Sequence, residues 1–201
     1  MKHSILLLLA LCLAAVSCKK DSNNDDQNTS DAEFFFLGKI DGQSVRLEVT
    51  PTNDIEMSTS NSGSIGTPNC VFGYGAFLAP FDINAFPQAG IDFSNYFDGD
   101  CSNEETVFNS LFPTGNHAFF NEAVGGKGVQ VSYIDASGVY SSAKGTQSAA
   151  QFTITKSEVA NDPFGLSQTI TGTMKCTLYD EFDNKKEFTD GAFRLNFRSY
   201  F

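Results

Sequence analysis

The sequence predicts an all-β domain, a β-sandwich of about eight to ten mostly antiparallel strands with one short helix near 103–112. Three observations carry this. Short segments alternate apolar and polar residues at period two, as in Val129, Val131 and Tyr133 against Gln130 and Ser132. Turn-forming pairs such as Asp41-Gly42, Ser137-Gly138 and Asp183-Asn184 punctuate the chain at strand spacing. Apolar periodicity of the helical kind occurs once. One polar face on most strands favours a sandwich over a closed barrel, and no repeat of fixed period is present.

The elements follow in order. The domain starts at Glu33-Phe34-Phe35-Phe36-Leu37, and Gly38 to Val45 reads as a hairpin. Its Asp41-Gly42 tolerates the positive φ angles of a type I′ turn. Ser58 to Asn69, polar and glycine-bearing, reads as a mobile loop. Cys70 to Leu78 is a strand whose glycines mark a bulge or a close backbone approach, and Ile91 to Tyr96 alternates again. Ser102 and Glu105 form a capping box ahead of the apolar face Val107, Phe108, Leu111 and Phe112, and Pro113 and Gly115 stop that helix. Val129 to Tyr133 and Val139 to Ser141 make a second hairpin around Asp135-Ala136-Ser137-Gly138. Phe152 and Ile154 mark a further strand. Ile170, Gly172, Met174, Cys176 and Leu178 line one face of a long strand ending at Tyr179. Asp183-Asn184 turns it, and Phe193, Leu195 and Phe197 close the domain on one face, with Arg194, Asn196 and Arg198 opposite. The chain has 20 Phe and no Trp. Each fully buried Phe stabilises by roughly 1.5–3 kcal/mol, so Phe dominates the expected core.

The N-terminus is a different kind of segment. Met1-Lys2-His3 precedes an apolar run from Ile5 to Val16, and Ser17 precedes Cys18. A basic start, a run of that length and a small residue before the cut describe a secretory signal over residues 1–17. The run falls short of the roughly 20 apolar residues that span a bilayer. Ala14-Ala15-Val16-Ser17-Cys18 resembles the lipobox of bacterial lipoproteins, although that pattern prefers Leu where Ala15 stands. The resemblance implies cleavage before Cys18 and lipidation on it. Cys12 follows Leu11, a poor neighbour for the peptidase, and leaves with the signal. Multiple acyl chains, at about 0.8 kcal/mol per buried methylene, anchor stably. Residues 18–32 carry no large apolar side chain and read as a flexible tether to a single domain over 33–201. Lys19-Lys20-Asp21 through Asp25-Asp26 resembles the charged export tags of surface lipoproteins in the Bacteroidota. That implies outer-membrane attachment facing outward, and a plain solvated spacer is the alternative.

The chain carries 13 Lys and Arg against 24 Asp and Glu. Loss of Lys2 with the signal makes the mature charge −12. Nucleic acid demands clustered cations and is excluded as a partner. The expected membrane contact is the lipid anchor itself.

Val131-Ser132-Tyr133-Ile134-Asp135-Ala136-Ser137-Gly138-Val139-Tyr140, Gly145-Thr146-Gln147 and Phe152-Thr153-Ile154-Thr155 resemble a recurrent Bacteroidota lipoprotein family of unknown function. So do Ile170 to Leu178 and Thr189-Asp190-Gly191-Ala192-Phe193. These are turn and strand signatures in the second half of the domain. The resemblance implies fold and location and no activity.

Candidate chemistry is thin. His117 is the one histidine after cleavage, in the polar segment Thr114-Gly115-Asn116-His117. A triad needs a nucleophile and a carboxylate beside it, and no nucleophile elbow precedes a helix. One histidine cannot build a His-rich zinc site. Glu181, Asp183 and Glu187 approximate the acidic pattern of sandwich-fold glycan hydrolases, but the last spacing is one residue too long and a turn intervenes. Absence of Trp weakens glycan stacking without excluding it. Asp98, Asp100 and Ser102 offer alternating oxygens of the calcium-binding kind, yet Asn103 and Asn109 stand where an EF-hand needs Gly and Glu. The alternative is an acidic turn leading into the helix cap. Gly73-Tyr74-Gly75 and Gly125-Gly126-Lys127-Gly128 lack phosphate-loop spacing.

Among the cysteines, Cys176 alternates with Met174 and Leu178 and is expected to be a buried free thiol. Cys70 and Cys101 are expected to pair, closing a loop of about 30 residues worth roughly 3–4 kcal/mol in the chain-entropy model. The sequence thus predicts a lipid-anchored binding or adhesion-type module without enzymatic activity or cofactor. A hydrolase with an unrecognised site and an accessory subunit of an envelope complex are the alternatives. A binding module should show a concave aromatic or apolar patch at one end. A hydrolase should gather two acids, or His117 and a nucleophile, in a cleft.

Overall fold

A computed structural model describes residues 29–65, 69–100, 104–121, 126–162 and 165–199. Among the described residues, eleven strands and one helix follow one another: β1 (Phe35–Ile40), β2 (Gln43–Glu48), β3 (Ile55–Ile65), β4 (Asn69–Pro80), β5 (Gln88–Asp100), α1 (Glu104–Ser110), β6 (Gly115–Asn116), β7 (Gly128–Asp135), β8 (Gly138–Ser141), β9 (Gln151–Asp162), β10 (Gly165–Tyr179) and β11 (Lys185–Ser199). The fold is all-β, as the alternation demands. All strands join one hydrogen-bonded sheet in the order β2-β1-β11-β10-β8-β7-β5-β4-β3, with β9 on β10 and β6 on β9. Every strand pairing is antiparallel, and one isolated parallel bridge joins Phe119 to Val129.

The sheet bends until its ends nearly meet, giving a barrel-like or sandwich-like shape whose facing layers are parts of the same sheet. The Asn196 backbone N–H reaches the Met57 sulfur at 3.4 Å, bringing β11 against β3. Ladder irregularities at Leu37/Lys39, Phe72/Tyr74, Thr171/Gly172 and Met174/Cys176 help the strands bend this sharply.

The inward positions are the apolar ones of the alternation. Tyr74, Ala76 and Leu78 of β4, Ile91 and Phe93 of β5, Val129 and Val131 of β7, and Phe193, Leu195 and Phe197 of β11 are all buried. Phe93 ties the walls together. Its ring lies 5.2 Å from Phe197, 5.8 Å from Phe152 and 4.9 Å from Phe112, each edge to face, the favoured geometry for aromatic pairs. The β5 strand delivers the chain to α1, whose Phe108 packs 5.3 Å from Tyr74.

Two readings need correction. Ser58 to Asn69 is not a loop over its described part: β3 runs to Ile65 and pairs with β4 from Ile55↔Pro80 to Ile65↔Cys70. Backbone hydrogen bonds make this strand, and Ser58, Ser60 and Ser62 are exposed on its outer face. Asp98 to Asp100 is not a turn either. It is the extended end of β5, with Asp98 opposite Val71, Gly99 opposite Cys70 and Asp100 opposite Asn69. Ser102 and Cys101 lie outside the described residues, so the calcium and disulfide pairings fall partly there.

Candidate functional site

The hairpins place several connections on one rim. The β1–β2 turn sits beside the start of β11, with Asp41 N–H donating to Glu187 O at 2.9 Å and Asp41 Oδ1 accepting from Glu187 N–H at 2.8 Å. The β4–β5 connection ends at Gln88, opposite Ile134 near the tip of β7. The β7–β8 turn follows at Asp135↔Gly138, and the β10–β11 turn follows Tyr179, which pairs with Ser141 of β8.

Six large hydrophobic side chains are exposed among the described residues, and five are on this rim: Phe81, Ile83 and Phe86 of the β4–β5 connection, Val139 of β8 and Phe182 of the β10–β11 turn. Phe182 is 76% exposed and Ile83 77%, values that no core role explains. Scattered apolar residues are ordinary on a surface, whereas a concentration of them marks an interaction site.

A cleft of about 880 Å³ opens between the β7–β8 hairpin and the β10–β11 turn, with Val139, Tyr140, Lys144, Tyr179, Glu181 and Phe182 on its walls. Tyr140 on its wall is held by Lys186, outside the cleft, and by Ser137. Lys186 Nζ lies 2.6 Å from Asp135 Oδ2 and 4.4 Å from the centre of the Tyr140 ring. Ser137 Oγ bonds both Asp135 Oδ1 (2.5 Å) and the Tyr140 hydroxyl (2.9 Å). Burial alone would raise the Asp135 carboxyl, but hydrogen bonds from Lys186 and Ser137 outweigh it and hold the group below the usual carboxylate range. Burial opposes the Lys186 charge, and the Asp135 hydrogen bond more than restores it, so its pKa is raised. Across the cleft, Asp180 Oδ1 accepts from the backbone N–H groups of Phe182 and Asn184 at 2.9 and 2.8 Å, shaping the turn that presents Phe182. Asp183 supplies its left-handed residue at φ 64°. Gly145, at φ 66°, lies against Tyr179, where a β-carbon would meet the ring at 2.4 Å.

The other sequence candidates do not converge. Asp183 sits in the turn, and Glu187 on β11 accepts from Thr177 Oγ1 at 3.2 Å. His117 borders a second cleft of about 430 Å³ with Thr146 and Ser148, and among the described residues no carboxylate lines it. Its Nε2 is 2.8 Å from the Pro113 carbonyl, and its ring meets Phe93 and Phe152 edge to face. Those contacts hold the imidazole against the core rings. No group of three or more His, Cys, Asp or Glu that could hold a metal occurs among the described residues. Cys176 is buried and free.

Sequence reading overlooked the β4–β5 connection. Phe81-Asp82-Ile83-Asn84-Ala85-Phe86-Pro87 interleaves large apolar residues with turn formers, a signal for apolar side chains on a loop rather than in a strand. Searches against protein-family models, curated proteins and solved structures returned no match to this chain.

Proposed function

We propose that the chain is a lipid-anchored envelope protein whose domain is a binding module, with the apolar rim and its cleft as the working surface. The observation that carries this reading is the concentration of five exposed large hydrophobic side chains at one end of the sheet, two of which, Val139 and Phe182, line an aromatic-walled cleft. It is the concave apolar patch at one end that distinguishes a binding module from a hydrolase.

Anchoring rests on the sequence Ala14-Ala15-Val16-Ser17-Cys18. Lipidation at Cys18, outer-membrane attachment and outward display belong to the same proposal. The place where the tether joins the domain agrees with it. Phe35 at the start of β1 lies five residues, roughly 17 Å, from Ile40 at the β1–β2 turn on the rim. The apolar rim therefore lies at the other end of β1 from the point where the chain enters the domain. Acids flank its hydrophobic residues, Asp82 beside Phe81 and Ile83, and Glu181 and Asp183 beside Phe182. That charge disfavours an anionic lipid surface and favours a partner with a basic margin.

Site-directed photocross-linking in the cells that make the protein tests the reading. A photoreactive phenylalanine at Phe182 or Ile83 of the full chain should give discrete cross-linked species, and one at Val159 on β9 should not. Equal yields at the three positions, or none at the rim, would contradict it.

A further inference from the structure

The outer face of β3, β4, β5 and β7 carries a second arrangement. Gly75 of β4 stands between Ser60 of β3 and Asp92 of β5. A β-carbon on Gly75 would lie 2.3 Å from Asp92 Oδ1 and 2.6 Å from Ser60 Oγ, so glycine is what lets both oxygens fold down over β4. Gly73 does the same for Ser62, whose Oγ would be 3.1 Å from a β-carbon there. One row nearer the rim, the Phe77 ring lies flat on Gly90, with Cγ, Cδ1 and Cδ2 each 2.6 Å from where a β-carbon would be. The ring is half-buried, and its other face looks outward. Gln130 of β7 is directly opposite Asp92 and so shares the face.

Asp92 makes no hydrogen bond and no ion pair with any described residue, and neither Ser60, Ser62 nor Gln130 spends its side chain on a described neighbour. Asp92 is part-buried on this outward face, so its carboxylate is open to donors from outside the chain.

We infer that this face is a saccharide-binding site, on which a neutral pyranose stacks on Phe77 and donates hydroxyl hydrogen bonds to Asp92. The chemistry of the surrounding groups selects this ligand. A metal ion needs six or more oxygens and finds one carboxylate. A basic side chain would want acceptors only, whereas the serine hydroxyls and the Gln130 amide both donate and accept, as sugar hydroxyls do. A phenyl ring parallel to the sheet beside a carboxylate offers the sugar an apolar face and a polar edge together. The site is independent of the rim proposal and stands or falls separately.

The experiment is a glycan array followed by calorimetric titration of the hits, and of a panel of soluble neutral oligosaccharides at up to 10 mM, into the purified full-length chain. At least one saccharide should bind, and Asp92→Ala and Phe77→Ala should each weaken it by tenfold or more. Lys175→Ala, on the exposed face of β10, should leave it unchanged. Thermal midpoints accompany each variant. If Phe77→Ala fails to fold, the outward-facing Asp92→Ala and Gln130→Ala decide. Binding of no saccharide, saccharide binding insensitive to Asp92, or binding of Lys- and Arg-rich peptides in place of sugars would overturn the assignment.

Discussion

Asp92 costs the fold something that its neighbours do not offset. Burial, with no cation or donor to oppose it, pushes its carboxyl up to about 6, from an ordinary value near 3.9. The folded chain therefore keeps a proton that the unfolded chain gives up near pH 4. The contribution is present in full below that pH and lost as pH rises through about 6, so this group makes the domain less stable at neutrality. Asp92→Asn should raise the unfolding free energy at pH 7 by about 1–3 kcal/mol and change little at pH 4. Urea titrations across that range check it, and variant and native curves that stay parallel would refute it. Cys176 shows the opposite use of burial. Burial first, and the Glu187 charge second, push its thiol far up, leaving no thiolate to react. Alkylation followed by mass spectrometry should label Cys176 in the denatured chain and not in the native one.

Elements were legible wherever one face is apolar. The hairpin at Asp41-Gly42 forms with φ angles of 49° and 79°, as the dipeptide requires. β10 and β11 bury the alternating sets Ile170, Met174, Cys176, Leu178 and Phe193, Leu195, Phe197. The serine-rich β3 was not legible, because its pairing is a backbone property and its outward side chains give no period-two apolar signal. The rim was half legible. Asp183-Asn184 announced a turn, but only the fold brings Phe182 to the same end as Phe81, Ile83 and Phe86. The Asp92 face was illegible, since Phe77, Ser60 and Gln130 meet Asp92 only through strand pairing across three ladders. Gly172, read as one small member of an apolar face, proves to be a packing requirement. A β-carbon there would sit 2.2 Å from the Thr153 carbonyl oxygen and 2.6 Å from the Phe193 ring. Gly172→Ala should destabilise by about 1–3 kcal/mol through overpacking between β9, β10 and β11. Chemical denaturation measures it, and a neutral substitution would mean that the β9–β10 ladder shifts freely.

The whole molecule is proposed to be polar, with an attachment at one end and a presented surface at the other. Among the described residues no helix is long and apolar enough to cross a membrane, and the core absorbs the apolar strand faces. The attachment proposed above is the lipid on Cys18. Cys18→Ala should abolish fatty-acid labelling and move the protein out of the membrane fraction, or leave it uncut. Cys12→Ala should change neither property. A labelled, membrane-bound Cys18→Ala chain would break the account at its first step.

Polarity itself can be measured with the lipidated protein in vesicles that carry a lipid-borne nitroxide quencher. A fluorescent amino acid placed at Ala32, where the chain enters the domain, should be quenched more strongly than one placed at Phe182 on the rim. Equal or stronger quenching at Phe182 would show the apolar rim lying on the lipid, and would contradict a surface held out for a partner.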